Sequence, residues 1–364
     1  MPLPGPQSQL KRPDPATPSS QQQVGGVGVA GFAAVGTLIR TGPNQDASPG
    51  CPQVSRRHGR PPGTPASVTP AHAASASEQQ RNDCSVLPPL PLGADQAGRN
   101  PEVHMFLEID GNQVFALDIG SGPRTFVAHS GWIGNFEDWI AALAPMSKHW
   151  RCVIYDHRGA GETRCSPERI TPQALIDDLF AVMGQLDIER CILGGFSRGT
   201  VTALRAAMQQ PGRFDGLVLL NGHAGVPDPV APSASRVPPS KWPGENFAQR
   251  LNWFAQRCTP EPDVDHVRAW AVDLLSRATP EAADRLFTME FNDPVDWPAR
   301  LADLQLPTLL IHGEKDAFVQ AAAMRHLCSL LPRAKLIEFA GAGHLPAMTR
   351  PAEVAQAILS HFGG

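Results

Sequence analysis

Gly195-Phe196-Ser197-Arg198-Gly199 is the first place where this sequence sets a reactive group in a chemical context. A serine hydroxyl is a weak nucleophile by itself; it attacks a carbonyl carbon only when a base removes its proton. The apolar run Cys191-Ile192-Leu193-Gly194 leads into the pentapeptide, and Thr200 to Gln210 leaves it with a helical composition. A strand that turns sharply into a helix lifts the serine oxygen above the sheet edge and puts the helix N-terminus beneath it. The glycines permit that turn where a larger side chain would clash. The base and its supporting acid must therefore come from elsewhere in the chain.

Two later loops supply them. His344 ends Phe339-Ala340-Gly341-Ala342-Gly343-His344, a small-residue stretch directly after an apolar run. Asp316 ends His312-Gly313-Glu314-Lys315-Asp316, directly after the preceding run. The chain order Ser197, Asp316, His344 is that of nucleophile, acid and base in a strand-to-helix elbow architecture. His129, His157 and His223 also fall at strand ends, but none follows the acid. Glu314 is a competing carboxylate, and residue type does not choose between it and Asp316. The chemistry expected of this set is acyl transfer: Ser197 attacks, His344 takes its proton, Asp316 fixes the imidazole, and water releases the acyl-enzyme.

These residues need strands to end beside one another. Short β-rich runs occur at 104–109, 113–119, 125–129, 151–155, 190–194, 216–220, 307–312 and 334–339. The first two flank Asp110-Gly111, a hairpin turn. The later runs are almost wholly apolar, as strands covered on both faces must be. Helical periods separate them. Residues 172–187 place Leu175, Leu179, Val182 and Leu186 on one face behind Thr171 and Pro172, and 351–362 stripe Val354, Ile358 and Phe362. An antiparallel start followed by repeated β-α units predicts an α/β fold: a mostly parallel eight-stranded sheet with helices on both faces. Between Leu220 and Thr308 the alternation stops. That stretch is too long for a loop, holds Trp242, Trp253, Trp270 and Trp297, and shows helical patterns near 244–257, 263–277 and 280–288. It reads as a helical cap over the carboxyl ends of the strands, where open α/β sheets bind ligands. The resulting division is 103–225 and 302–364 for the core, and 226–301 for the cap.

Residues 1–102 read as a disordered Pro-rich extension, because 16 of the 37 prolines lie in the first hundred residues with few large apolar ones. Within it, 24–39 is apolar but short for a membrane span, rich in glycine, and far in from the N-terminus for a signal peptide. It includes Gly26-x-Gly28-x-x-Gly31, a dinucleotide fingerprint by letter that no strand precedes. Met105 opens the first strand run, and a protein beginning there would lack nothing the chemistry needs. A net charge of −4 excludes a basic field for nucleic acid or an acidic membrane. Seven scattered cysteines with no C-x-x-C pair argue against a disulfide framework and a zinc site. The expectation is a cytoplasmic protein with no cofactor, no metal, no nucleic-acid or membrane partner, and an oligomeric state the sequence leaves open.

From about residue 103 onward the chain resembles the α/β-hydrolase fold superfamily, in its compact bacterial serine esterase, lactonase and perhydrolase-like branch. Four motifs carry the resemblance: His129-Ser130-Gly131-Trp132-Ile133-Gly134, Asp156-His157-Arg158-Gly159-Ala160-Gly161, the turn at Ser197, and Gly343-His344-Leu345-Pro346. The resemblance implies an oxyanion hole made by two backbone N–H groups. One belongs to Arg198. The other comes from the turn after the third strand, where this chain reads His-Ser-Gly-Trp for the usual His-Gly-x. If Ser130-Gly131 fills the His-Gly slot the donor is Trp132; if His129 keeps its slot the donor is Gly131. The spacing of Gly-Trp-Ile-Gly-Asn into the next helix favours Trp132. Asp156 and Arg158 are expected to be structural, and His223 to line the pocket.

A serine at 197 disfavours the aspartate-nucleophile branches, and arginine after it disfavours proline-releasing aminopeptidases. The Trp-rich cap suggests an apolar or aromatic substrate of modest size. The expected function is hydrolysis of a small carboxylic ester or lactone. The alternatives are a cofactor-free perhydrolase, a proline-type aminopeptidase, a slow or inert ligand receptor on the same fold, and an interaction role for the Pro-rich extension.

Overall fold

A computed structural model describes residues 103–224, 237–289 and 296–363. The Pro-rich extension, its apolar stretch and the Gly26–Gly31 fingerprint all lie outside these described residues, as do parts of the expected cap.

The chain opens with the hairpin of β1 (Val103–Ile109) and β2 (Asn112–Ile119). Asp110 and Gly111 both take positive φ, 49° and 66°. That pairing is the primed turn whose twist matches its strands. Then follow β3 (Thr125–His129), α1 (Glu137–Met146), β4 (Arg151–Tyr155), α2 (Pro172–Gln185), β5 (Cys191–Phe196), α3 (Gly199–Gln209) and β6 (Phe214–Leu220). The long interval carries α4 (Phe247–Cys258), α5 (Asp265–Ser276), α6 (Pro280–Thr288) and α7 (Trp297–Ala302). The chain closes with β7 (Thr308–Gly313), α8 (Ala321–Leu330), β8 (Ala334–Phe339), α9 (Pro346–Thr349) and α10 (Pro351–Phe362).

The eight strands form one sheet in the order β1-β2-β4-β3-β5-β6-β7-β8. Only the β1–β2 and β2–β4 pairs are antiparallel; the other five are parallel. The expected sheet is therefore present, with most strand limits within two residues of the sequence reading. Register places the strand ends that matter level with one another. His129 pairs with Gly195, Phe196 with Leu220, and Leu220 with Ile311. Every residue of β5 and β7 is buried, which accounts for the apolar runs at their centres.

Each sheet face has its own core. On one side Phe126, Ile154, Ile192 and Val218 pack with Trp139 of α1 and Ile358 of α10; on the other Val127, Val153, Leu193 and Leu217 pack with Leu179 of α2 and Leu204 of α3. Thr171 caps α2 by accepting the Ala174 N–H at 3.1 Å, and Pro172 stands first in the helix. α1 and α8 were not delimited by sequence periodicity. α1 is alanine-rich and holds Pro145 in its last turn, and α8 has no side-chain cap at its start.

Trp139 is fully buried, with its ring 5.7 Å from Phe126, but its indole Nε1 finds no hydrogen-bond partner among the described residues. Trp139→Ala should therefore cost about 3–5 kcal/mol in urea unfolding. Trp139→Phe should cost clearly less, because it also removes an unsatisfied buried donor. Equal losses for the two variants would refute this account.

Candidate active site

Ser197 sits between the end of β5 and the start of α3 with φ at 51°, a left-handed backbone that costs energy outside glycine. Its N–H donates to Leu220 O at 2.9 Å, and Thr200 N donates back to Ser197 O at 3.1 Å. Those bonds hold the turn to β6 and to the first turn of α3. The flanking glycines are there for space. A Cβ on Gly195 would lie 2.8 Å from Gly199 O, and one on Gly199 only 2.4 Å from Ser130 O.

The imidazole of His344 bridges two strand ends. Its Nε2 lies 3.0 Å from Ser197 Oγ, and its Nδ1 lies 2.7 Å from Asp316 Oδ2. Asp316 follows β7, and its side chain is wholly buried. Oδ1 accepts the N–H groups of Phe318 (2.7 Å) and Val319 (3.0 Å), and Oδ2 also accepts Asn221 Nδ2 at 2.7 Å. Burial works to raise this carboxyl, but His344 and the surrounding donors outweigh it and hold it below the usual aspartate range. Glu314 turns away: its carboxylate accepts the Gly341 N–H at the surface. The imidazole thus faces Asp316, the choice residue type had left open.

Three further residues hold this arrangement, and sequence reasoning missed them. Asn221, with φ at 45°, donates to Asp316 and to Gly343 O at 3.1 Å. The other two come from the interval between β6 and β7. Cys258 O, at the end of α4, accepts the His344 N–H at 2.6 Å. Glu261 Oε1 accepts the Gly343 N–H at 2.8 Å and the Thr349 hydroxyl at 3.0 Å. A Cβ on Gly343 would stand 2.2 Å from Cys258 O, so this close approach requires glycine. No local signal marks Cys258 or Glu261, since their partners lie more than 80 residues away.

The turn after β3 lies against the serine: a Cβ on Gly131 would be 2.9 Å from Ser197 Cβ. Gly131 O accepts from Gly134 N at 3.2 Å and from His157 Nε2 at 2.9 Å. His157 Nδ1 faces Arg158 O at 3.3 Å. Burial pushes the His157 pKa down, against the Gly131 and Arg158 carbonyls, which work to raise it. C=O and N–H point in opposite directions across a trans peptide, so the Trp132 N–H is aimed away from His157. It meets no other backbone carbonyl among the described residues. The Trp132 indole donates to Ala283 O at 2.8 Å and its ring packs on Trp242 and Phe254, which fixes the turn from above. Arg198 directs its guanidinium to Met289 O at 3.0 Å.

Of the other expected residues, Asp156 accepts the N–H groups of Phe136 and Glu162, both at 2.8 Å, and burial lifts its pKa to about 7. Arg158 makes a buried two-point ion pair with Asp178, at 2.5 and 2.7 Å. Both are architectural, as expected. His129 is also internal, with Nδ1 2.8 Å from the Tyr155 hydroxyl. His223 is half-buried, its N–H bonded to Thr200 Oγ1 at 3.0 Å. It is not among the residues that wall the cavity over Ser197.

That cavity is narrow, about 30 Å³. Ser197 and His344 form its floor, with Trp132, Phe254, Leu274 and Leu275 around them. One polar side chain joins these walls: Asp138, in the first turn of α1 and 4% exposed. Burial first, then the charges of Asp156 and Glu137, push its carboxyl up to about 8 against a Ser130 hydrogen bond that lowers it. Among the described residues, no group of three His, Cys, Asp or Glu could hold a metal ion, and no helix is long and apolar enough to cross a membrane.

The family described as "Alpha/beta hydrolase family" matches residues 119–357. The pimeloyl-[acyl-carrier protein] methyl ester esterase of Nitrosomonas europaea is 27% identical over 250 residues, covering 64% of this chain and 92% of the esterase. An esterase from Exiguobacterium antarcticum superposes with a TM-score of 0.65 at 19% identity, over 72% of this chain and all of that one. The enol-lactonase from Burkholderia xenovorans LB400 gives 0.62 at 21% identity, over 71% of this chain and all of that one. These two likenesses are likenesses of fold.

The Asp138 carboxyl gives a prediction for stability. Its pKa is about 8 in the fold against an ordinary 3.8, so between those values the folded chain binds more protons than the unfolded one. Stability therefore falls as pH rises through that window, and Asp156, raised to about 7, acts in the same direction. Asp138→Asn removes one of these titrations. Urea midpoints measured from about pH 5 to 8 should fall less steeply for the variant than for the wild type. Identical slopes would contradict the assignment.

Proposed function

The chain belongs to the alpha/beta hydrolase family, and from that premise we propose that it is a serine hydrolase cleaving a small carboxylic ester or lactone through an acyl-enzyme. One observation carries the reading: a single imidazole lies 3.0 Å from Ser197 Oγ and 2.7 Å from Asp316 Oδ2. As Ser197 Oγ attacks the acyl carbonyl, His344 Nε2 takes the hydroxyl proton, and the Asp316 carboxylate steadies the imidazolium through Nδ1. The carbonyl electrons move onto oxygen. The backbone N–H groups of Trp132 and Arg198 receive that oxyanion, Trp132 being favoured over Gly131 by the orientation of its peptide. His344 then protonates the leaving alkoxide, and the acyl group stays on Ser197. Water, deprotonated by the same imidazole, releases the acid and restores the serine. In a lactone the leaving alkoxide belongs to the acyl group, so the product is one hydroxy acid.

The ester class is supported by a relative named for a methyl ester and by a cavity whose walls, among the described residues, are mainly apolar.

The test is turnover of short-chain p-nitrophenyl esters by wild type and Ser197→Ala. The variant should lose about 10⁴-fold or more in kcat; equal activity, or equal inertness on every ester and lactone, would end the serine-hydrolase reading. A second variant tests the support of the base. Gly343→Ala drives a Cβ into Cys258 O, so it should shift His344 and lower kcat by about 10²-fold, with KM changing less. Unchanged kcat would show that the Cys258 contact does not position the imidazole.

A further inference from the structure

The cavity over Ser197 is apolar except for the catalytic pair and one carboxyl. Asp138 is 4% exposed, and its Oδ2 has no hydrogen-bond partner among the described residues. Such an oxygen is costly to bury and calls for an explanation. A structural role for Asp138 accounts for only part of it. An acidic residue in the first turn of α1 suits the helix dipole, but that benefit needs neither burial nor an empty acceptor. Gly134 adds to the case: a Cβ there would fall 1.8 Å from Oδ2, so the absence of a side chain at 134 makes the room this oxygen occupies.

No hydrogen bond reaches Oδ2 among the described residues. A carboxyl oxygen without a partner is an acceptor, whether the group is charged or carries its proton on the other oxygen. Its complement is a hydroxyl or N–H donor.

We propose that Asp138 determines specificity at this site, its Oδ2 accepting a hydrogen bond from a hydroxyl or N–H group that a small substrate carries close to the carbonyl attacked by Ser197. The proposal rests on the serine-hydrolase reading and narrows it to hydroxy- or amido-substituted esters and lactones. An apolar cavity with an unpaired acceptor discriminates strongly against the analogue that lacks the donor, because that analogue leaves the acceptor buried and unpaired.

The experiment uses two pairs of esters that differ only by hydroxyl against methyl: methyl lactate with methyl isobutyrate, and methyl 3-hydroxybutyrate with methyl isovalerate. Each kcat/KM is divided by the ester's own rate of alkaline hydrolysis, which removes the electronic effect of the hydroxyl. For the wild type at least one hydroxyl-to-methyl ratio should exceed one by about tenfold or more, and Asp138→Leu should return it to near one. A helix-capping role would lower both members of a pair together and leave the ratio alone. Ratios near one in the wild type, or an elevated ratio that survives in Asp138→Leu, would overturn the proposal. If Asp138→Leu does not fold, the wild-type ratios decide, since a cavity without a usable acceptor gives ratios near one. If the wild type cleaves no ester, the serine-hydrolase reading fails separately. Saturation-transfer NMR on the wild type with methyl lactate against methyl isobutyrate then decides for Asp138: selective binding of methyl lactate upholds the acceptor, and equal binding or none removes it.

Discussion

An imidazole that must touch an oxygen on one side and a carboxylate on the other sets the tolerances of this molecule. His344 spans from Ser197 at the end of β5 to Asp316 after β7. Those strands are separated only by β6, and the parallel register brings their ends level. β6 supplies the filler: Leu220 O anchors the Ser197 N–H, and Asn221 holds the Asp316 carboxylate and the Gly343 carbonyl. A slip of one residue in either pairing would turn side chains to the opposite face and remove the bridge. The complete burial of β5 and β7 is thus a condition for the chemistry as well as for folding.

The helices between β6 and β7 are more than a roof. Phe254, Leu274 and Leu275 wall the cavity, while Cys258 and Glu261 grip the backbone of the loop that carries His344. Trp132 works in the opposite direction, reaching from the turn beside Ser197 up to Ala283. The walls and the machinery therefore share hydrogen bonds, and their geometries are set together.

Much of this was legible beforehand, for physical reasons. A strand, a glycine-flanked serine and a helix in succession are a local pattern, so Ser197 could be found from its neighbours. Asp316 and His344 each follow an apolar run, which placed them at the same sheet end. The hairpin turn at Asp110-Gly111 and the cap at Thr171 are equally local. What could not be read depends on closure of the fold. Glu314 and Asp316 differ only in which way the chain turns after β7. His157 looked like a spare histidine and proves to brace the Gly131 carbonyl. Glu261 and Cys258 work through partners more than 80 residues away, one of them through a backbone oxygen that carries no sequence signature.

The grip of Cys258 and Glu261 on the histidine loop bears on how this scaffold could be re-engineered. Recombination of catalytic cores with foreign lids treats the two as separable modules. Here a transplanted lid would have to present a carbonyl and a carboxylate at two fixed points above Gly343 and His344, or the base would lose its anchorage. Selectivity in this chain is thus best altered by changing single wall residues within the native insertion, leaving the Cys258–Glu261 corner as a fixed hinge post.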